Sequence, residues 1–140
     1  MLTRIFVVLF CLATLTAGAA AEPPNAPPAF MRHLYPPELV MQLQHEIGLE
    51  EAQRRAITAA IGETQAAVVE IQWELRDLER KIEARFAASP IDEAAALEAV
   101  GQVLDLEERV KKAHLRLLIR IRNQLTDAQR AKLDALREEA

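Results

Sequence analysis

The chain has 140 residues, of which 17 are basic and 21 are acidic, giving a net charge of −4 with neutral histidines. This acidic balance argues against a general nucleic-acid binder, and the length suits a single domain. No stretch alternates apolar and polar residues with the period of a strand, so the sequence predicts an all-α fold.

Residues 1–21 are predicted to be a cleaved signal peptide that directs the chain to the periplasm. Arg4 supplies a positive charge, an apolar run follows over residues 5–16, and the alanines at 19–21 offer a small-residue cleavage site. A retained membrane anchor is the alternative, although this apolar run is short for a span. Cys11 would leave with the signal, so the exported chain would have no disulfide to stabilise it.

Residues 22–36 are predicted to be a Pro-rich linker in front of a helical domain at 37–140. Proline fixes φ and lacks an N–H donor, so we expect an extended or partly disordered arm. Met31, His33 and Tyr35 lie near its end, where they could bind a soft metal ion or dock onto the folded body.

The domain itself is predicted to contain four helices. A short first helix begins at Pro37 and ends near Ile47, before Gly48. The second runs from about residue 50 to 88, on the order of 58 Å. Its apolar residues recur at alternating three- and four-residue steps, as in a coiled-coil seam: Ile57, Ile61, Val68, Ile71, Leu75, Leu78 and Ile82, with Thr64 filling the gap.

Ser89 is predicted to cap the third helix, with Pro90 at its first position and Asp92 at its third. This helix reaches about Asn123, and one stripe carries Val103, Leu106, Val110, His114, Leu117 and Ile121. A short fourth helix contains Leu133 and Leu136. The two long helices should therefore form an antiparallel hairpin, flanked by short N- and C-terminal helices.

A capping box is predicted where the fourth helix begins. In Leu125-Thr126-Asp127-Ala128-Gln129, the Thr126 hydroxyl can accept from the Gln129 backbone N–H, and the Gln129 side chain can reach back to Thr126. An imperfect copy, Leu49-Glu50-Glu51-Ala52-Gln53, precedes the second helix, with Glu50 in place of the threonine.

A homodimer is expected, because two long helices and two short ones cannot enclose a large core. Ala66, Val69 and Trp73 lie more than a hundred degrees from the second-helix seam at 100° per residue. Trp73 is the one tryptophan, and a large aromatic side chain off the seam is a candidate interface anchor. The alternative is that the first helix folds over it.

The motif Leu125-Thr126-x-x-Gln129, its partner Leu49-Glu50-x-x-Gln53, the signal and the order of helices together resemble the Spy/CpxP family of periplasmic stress proteins. This family lies in the heavy-metal-resistance group that includes the ZraP and CnrX types. The resemblance covers about residues 36–140 and implies a curved helical dimer. It also implies binding of unfolded proteins, restraint of a membrane sensor kinase, or binding of metal ions.

The metal-binding hypothesis rests on Met41, His45 and His114, with a carboxylate such as Glu46 or Glu70 as a further ligand. Met41 and His45 share a helix face at i, i+4 spacing. The resemblance to CnrX-like sensors implies two metal ligands shortly before the second motif. The corresponding residues here are Leu117 and Ile121, neither of which binds metal. Thioether with imidazole favours copper, whereas imidazole with carboxylate suits zinc or nickel. The alternative is a hydrogen-bonded His114 in the seam and a core-filling Met41.

The client-binding hypothesis rests on Arg116 and Arg120, which form an i, i+4 pair interleaved with Leu115, Leu118 and Ile119. Basic and apolar groups together can hold non-native chains weakly. The alternative is a solvated face with ion pairs. The expected ion pairs are Glu70 or Glu74 with Arg76, and Glu107 or Glu108 with Lys111 and Lys112.

Catalysis has little support, because the helical part has no Ser-His-Asp pattern in a loop and no Gly-rich phosphate loop. The sequence therefore predicts a non-enzymatic periplasmic stress protein with chaperone-like or regulatory binding. A periplasmic metal sensor or metal-binding resistance protein is the main alternative. A structural partner of a membrane protein, binding through the first helix and Trp73, is a third.

Overall fold

The computed structural model of the protein describes residues 28–138. The predicted signal peptide at 1–21 and the start of the linker lie outside these residues. The described chain is helical without a strand, as predicted, and contains four α-helices: α1 Pro37–Gln42, α2 Glu51–Phe86, α3 Glu93–Gln124 and α4 Asp127–Glu138. None of these helices is long and apolar enough to cross a membrane.

The two long helices form the predicted hairpin, since α2 and α3 pack along each other. Every residue of the predicted α2 seam is buried or half-buried. On α3 the stripe is likewise buried or half-buried except for His114, which is exposed and lies at the edge of the seam. The interpretation of His114 as a hydrogen-bonded histidine within the seam is therefore wrong.

The core has two parts of unequal thickness. A base core at the open end of the hairpin combines residues from all four helices and from the segment before α1: Tyr35, Val40, Ile47, Ile57, Ala60, Leu117, Ile121, Leu125 and Leu133. Further along the hairpin, a smaller hairpin core contains Ile71, Leu78 and Leu106 from α2 and α3. Beyond the base, only one face of each long helix is covered.

The ends of two helices differ from the predictions. The first helix stops at Gln42, and hydrogen-bonded turns continue to Gly48, whose φ of 64° suits glycine. Asp92, rather than Ser89, caps α3, because its side chain accepts from the Ala95 backbone N–H at 3.1 Å. An aspartate directly before the helix satisfies an N–H that has no intrahelical partner.

The predicted extended linker is instead folded onto the domain over its last residues. Ala29–His33 form a 3-10 helix, and Leu34 and Tyr35 are buried. Tyr35 therefore takes the docking role suggested for it. Its hydroxyl donates to Asp134 Oδ1 at 3.0 Å, and the Arg137 guanidinium lies 5.1 Å from its ring centroid.

Three successive carbonyls of this arm accept hydrogen bonds from arginines of the domain. Arg137 donates to the carbonyls of Arg32 and Leu34 at 3.0 Å each, and Arg122 donates to that of His33 at 3.1 Å. A planar guanidinium presents several donors in a fixed geometry, so one arginine can bind two carbonyls of an arm that has no sheet partner.

Replacing Tyr35 by phenylalanine should lower the free energy of unfolding by about 1 kcal/mol at neutral pH, since the bond to Asp134 is lost. Burial, and then the hydrogen bond to Asp134, raise the pKa of Tyr35 in the folded chain. A tyrosine whose pKa is raised by folding stabilises the folded chain at pH values below its pKa in the unfolded chain, about 10. This stabilisation is lost as the pH rises through its pKa in the folded chain.

The wild type should therefore lose more stability than the Tyr35→Phe variant between about pH 9 and pH 11, measured by urea unfolding at each pH. Tyr35 is the one tyrosine of the chain, so no other phenol contributes. Parallel losses in the two proteins would contradict the prediction.

Candidate functional site

The capping box at the start of α4 forms as predicted. The Thr126 hydroxyl accepts from the Gln129 backbone N–H at 3.2 Å, and Gln129 Oε1 accepts from the Thr126 backbone N–H at 2.9 Å. At the start of α2, Gln53 Oε1 accepts from the Glu50 backbone N–H at 3.0 Å. Gln53 therefore makes its capping bond even though the first motif has Glu50 where the second has Thr126.

The two glutamines also bind each other, an interaction that was not predicted from the sequence. Gln53 Nε2 donates to Gln129 Oε1 at 2.8 Å, and Gln129 Nε2 donates to Gln53 Oε1 at 2.9 Å. Each amide has one N–H left, and each donates it to the carbonyl before the other motif. Gln53 reaches Gln124 O at 2.6 Å, and Gln129 reaches Gly48 O at 3.2 Å.

This glutamine clasp, formed by Gln53 and Gln129, is symmetric. The two motifs are offset by 76 residues, and each hydrogen bond that one glutamine makes has an equivalent made by the other. Both N–H groups and both lone-pair directions of each amide are used. The clasp joins the start of α2 to the end of α3 and the start of α4, with the motif leucines, Leu49 and Leu125, against the base core. Its role is structural.

An apolar groove of about 710 Å³ opens beside the base core, between the start of α1 and one flank of the hairpin. Val68, Val69, Leu117 and Leu118 supply much of its apolar lining, while Pro36 and Pro37 close one side. The sequence does not predict this groove, because the position of α1 against the hairpin has no signature in the periodicity of either.

The predicted metal ligands lie in three places. Met41 is 58% exposed on α1, His45 is exposed in the turns after it, and His114 lines the groove together with Glu38. Within residues 28–138, no three His, Cys, Asp or Glu side chains are grouped so that they could hold a metal ion. A site at these residues, or one using Glu46 or Glu70, would need a further donor and stays a prediction.

The opposite flank of the hairpin is charged. Arg109 binds Glu74 through two bonds of 2.6 and 3.1 Å between α3 and α2, and its guanidinium lowers the pKa of the Glu74 carboxyl through that bond. Arg120 also binds a glutamate across the hairpin, donating one hydrogen bond to Glu63 Oε2. Glu74 therefore binds Arg109 across the hairpin. It does not bind Arg76, the partner that its position along α2 suggests.

The other predicted ion pairs are confirmed, with Lys111 3.9 Å from Glu107 and Lys112 2.6 Å from Glu108. These are solvated i, i+4 pairs of small energetic value. The predicted client-binding residues do not form one stripe. Arg116 and Arg120 lie beside the charged flank, whereas Leu115 and the 43% exposed Ile119 lie away from α2.

The outer face of α2 consists of Gly62, Ala66, Val69 and Trp73, which are all exposed. Trp73 is 66% exposed and Val69 is 48% exposed. The first helix therefore does not fold over Trp73. The tryptophan lies among charged neighbours, which are Arg76, Asp77, Glu79, Arg80 and Glu83.

Comparison with known proteins gives one family match. The family model described as heavy-metal resistance matches residues 5–132, which is most of the chain and includes both motifs. No curated protein and no solved structure matches.

Replacing Gln129 by glutamate should test the clasp. The variant loses both Nε2 donors and places a carboxylate against Gln53 Oε1 and the Gly48 carbonyl. We expect the free energy of unfolding to fall by roughly 2–3 kcal/mol, as for a buried group left without its partners. Urea unfolding followed by circular dichroism measures it.

The matched control is Gln124→Glu, because that side chain is exposed and only the backbone carbonyl of Gln124 joins the clasp. The control should stay within about 0.5 kcal/mol of the wild type. Equal losses in the two variants would show that a nearby negative charge, and not the amide pair, is responsible.

Proposed function

Since the chain belongs to the heavy-metal resistance family, the group of Spy, CpxP and ZraP types, we propose that it is an exported stress protein that binds non-native proteins in the periplasm. The family is a group of non-enzymatic resistance and stress proteins. The proposed activity is accordingly weak, reversible binding that keeps unfolded chains apart, without a chemical step.

The observation that carries this proposal is the exposure of Trp73 and Val69 on the outer face of α2. Large apolar side chains in an exposed patch are typical of a binding surface. Trp73 supplies apolar area with little loss of side-chain entropy, and the surrounding charges of both signs keep the surface soluble. Such a surface suits contact with many different unfolded sequences, because it requires no matching shape.

The thin hairpin supports the same proposal. Beyond the base core each long helix buries one face, and apolar residues on the other faces remain at the surface. The clasp and the base core hold the hairpin without help from these faces, so binding at α2 need not disturb the fold. A chain held by scattered contacts of this kind would dissociate readily, since each contact contributes little.

The test is suppression of aggregation when an unrelated, denatured protein is diluted into buffer. The exported chain, residues 22–140, should reduce light scattering at about stoichiometric amounts, and the double variant Val69→Ser, Trp73→Ser should lose about half of that effect or more. Met41→Ser is the matched control, since Met41 is similarly exposed but lies on α1. Absence of suppression by the wild type, or equal losses in both variants, would contradict the proposal.

A second candidate function is metal binding, and the position of His114 favours it. His114 and Glu38 line the same groove, and imidazole with carboxylate is a donor set that suits zinc or nickel. Further donors would have to come from outside this pair. The groove is apolar around them, which would strengthen the attraction between a carboxylate and a cation.

Calorimetric titration of the exported chain with Zn²⁺, Cu²⁺ and Ni²⁺ tests this candidate. It predicts a dissociation constant of about micromolar or tighter, weakened at least about tenfold in His114→Ala. His45→Ala asks whether the ligand set predicted from the sequence takes part. His33→Ala tests the alternative that the exposed His33 of the arm, which contacts Arg32, binds the metal ion. No binding by the wild type, or binding indifferent to His114→Ala, would leave the metal candidate without support.

A further inference from the structure

The lining of the apolar groove beside the base core separates into a floor and a rim. The floor is buried or half-buried, and it consists of four large apolar side chains and one threonine: Ile61, Thr64, Val68, Leu117 and Leu118. The Thr64 hydroxyl already donates to the Ala60 carbonyl at 2.9 Å. The floor therefore offers a ligand mainly apolar area.

The polar groups of the groove lie at its rim and are able to accept hydrogen bonds. Glu38, Gln65 and His114 are exposed there. A carboxylate only accepts, and the amide oxygen of glutamine and one nitrogen of a neutral imidazole can accept as well. Among the described residues that line the groove there is no lysine or arginine. The rim is therefore suited to a ligand that carries a positive charge and N–H donors.

The carboxylate of Glu38 is available to such a ligand. Within the described chain it has no ion-pair partner, in contrast to Glu63 and Glu74 on the charged flank. Glu38 lies in the first turn of α1, directly after Pro36 and Pro37, whose fixed φ angles restrict the backbone at this side of the groove. A carboxylate beside apolar area attracts a cation more strongly than one surrounded by water, because the local dielectric constant is lower.

We propose that this groove binds small cationic amphiphiles, which are molecules with an apolar body, such as an alkyl chain, and a protonated amine. The apolar body would lie on the floor, and the ammonium group would donate to Glu38 at the rim. The groove volume of about 710 Å³ is within the range of small-molecule sites, about 300–1,000 Å³. Such sites are mostly apolar and contain a few polar groups that orient the ligand.

The same features disfavour other small ligands. An alkyl carboxylate or phosphate would place its negative charge against Glu38, with no cationic side chain in the described lining to balance it. A neutral alcohol would gain the apolar contact alone. A metal ion would need donors beyond Glu38 and His114, whereas an ammonium group requires one carboxylate and can share its other N–H donors with water.

This inference does not depend on the proposed function, because the groove and the outer face of α2 share only Val69 among their described residues. Trp73 can therefore be changed without altering the lining of the groove. Cationic amphiphiles bind anionic membranes through the same two features, apolar area and positive charge. A protein that captures them would compete with the membrane for them.

The experiment is calorimetric titration of the exported chain with hexylamine, octylamine and decylamine, below their micellar concentrations and with EDTA present to exclude metal ions. These amines are protonated at neutral pH, as a lysine side chain is. Decylamine should bind with a dissociation constant of about 50 micromolar or tighter. Each methylene removed should weaken binding about twofold, since an open groove covers only part of the chain.

Two comparison ligands isolate the role of the charge. Octanol should bind at least about fivefold more weakly than octylamine, and decanoate at least about fivefold more weakly than decylamine. Equal affinities for decylamine and decanoate would overturn the inference, as would absence of amine binding.

The test variant is Glu38→Gln, which removes the charge and keeps the shape of the side chain. It should weaken decylamine binding at least about fivefold and leave octanol binding within about twofold of the wild type. Glu46→Gln is the matched control, because Glu46 is also exposed but lies in the turns after α1, outside the groove lining. The control should bind decylamine within about twofold of the wild type, and equal effects of the two substitutions would overturn the inference.

Two further variants locate the apolar body of the ligand. Leu118→Ala shortens a floor residue and should weaken decylamine and octanol alike, by about threefold. Trp73→Ser should leave decylamine binding within about twofold of the wild type. A loss in Trp73→Ser as large as that in Glu38→Gln would mean that the amine binds on the outer face of α2, and this would overturn the inference.

Discussion

The reciprocal bond between Gln53 and Gln129 is the constraint on which the arrangement of the four helices depends. Two helix ends and two helix starts meet at the open end of the hairpin, where backbone N–H and C=O groups lack intrahelical partners. The clasp satisfies carbonyls at Gly48 and Gln124 and N–H groups at Glu50 and Thr126. A shorter polar side chain could cap one helix, but only a long amide can cap its own helix while donating to the other motif.

Placing these polar groups in one network lets the base core form around them. The buried residues of α1, α4 and the arm converge there, and arginines bind the arm carbonyls nearby. The hairpin beyond is stabilised by a narrow seam and by ion pairs between exposed side chains, which contribute little. Stability is therefore concentrated at one end, and the surface available for binding lies mostly along the other.

Apolar residues that recur at regular steps and local capping motifs could be predicted from the sequence. Contacts between residues far apart in the chain could not. The seam residues of α2 and the capping box at Thr126 followed from periodicity and local chemistry, and both are confirmed. The bond between Gln53 and Gln129 joins residues 76 positions apart, and each glutamine already had a local explanation as a cap. One motif precedes α2 and the other follows α3, and an antiparallel hairpin brings its first and last residues together, so the sequence did contain a signal that the motifs meet. The docked arm could not be predicted, because its stability comes from Arg122 and Arg137 rather than from its own prolines.

The outer face of α2 and the charged flank of the hairpin differ in chemistry. Trp73 lies among charged side chains of both signs, whereas Val69 on the same face borders the apolar groove. On the charged flank, Arg109 and Arg120 already form ion pairs across the hairpin. Much of the charge of that flank is therefore balanced within the chain, while the apolar area of Trp73 and Val69 stays open to a partner. Several weak contacts on this face would together hold a long unfolded chain more tightly than any one of them alone, in agreement with the proposed function.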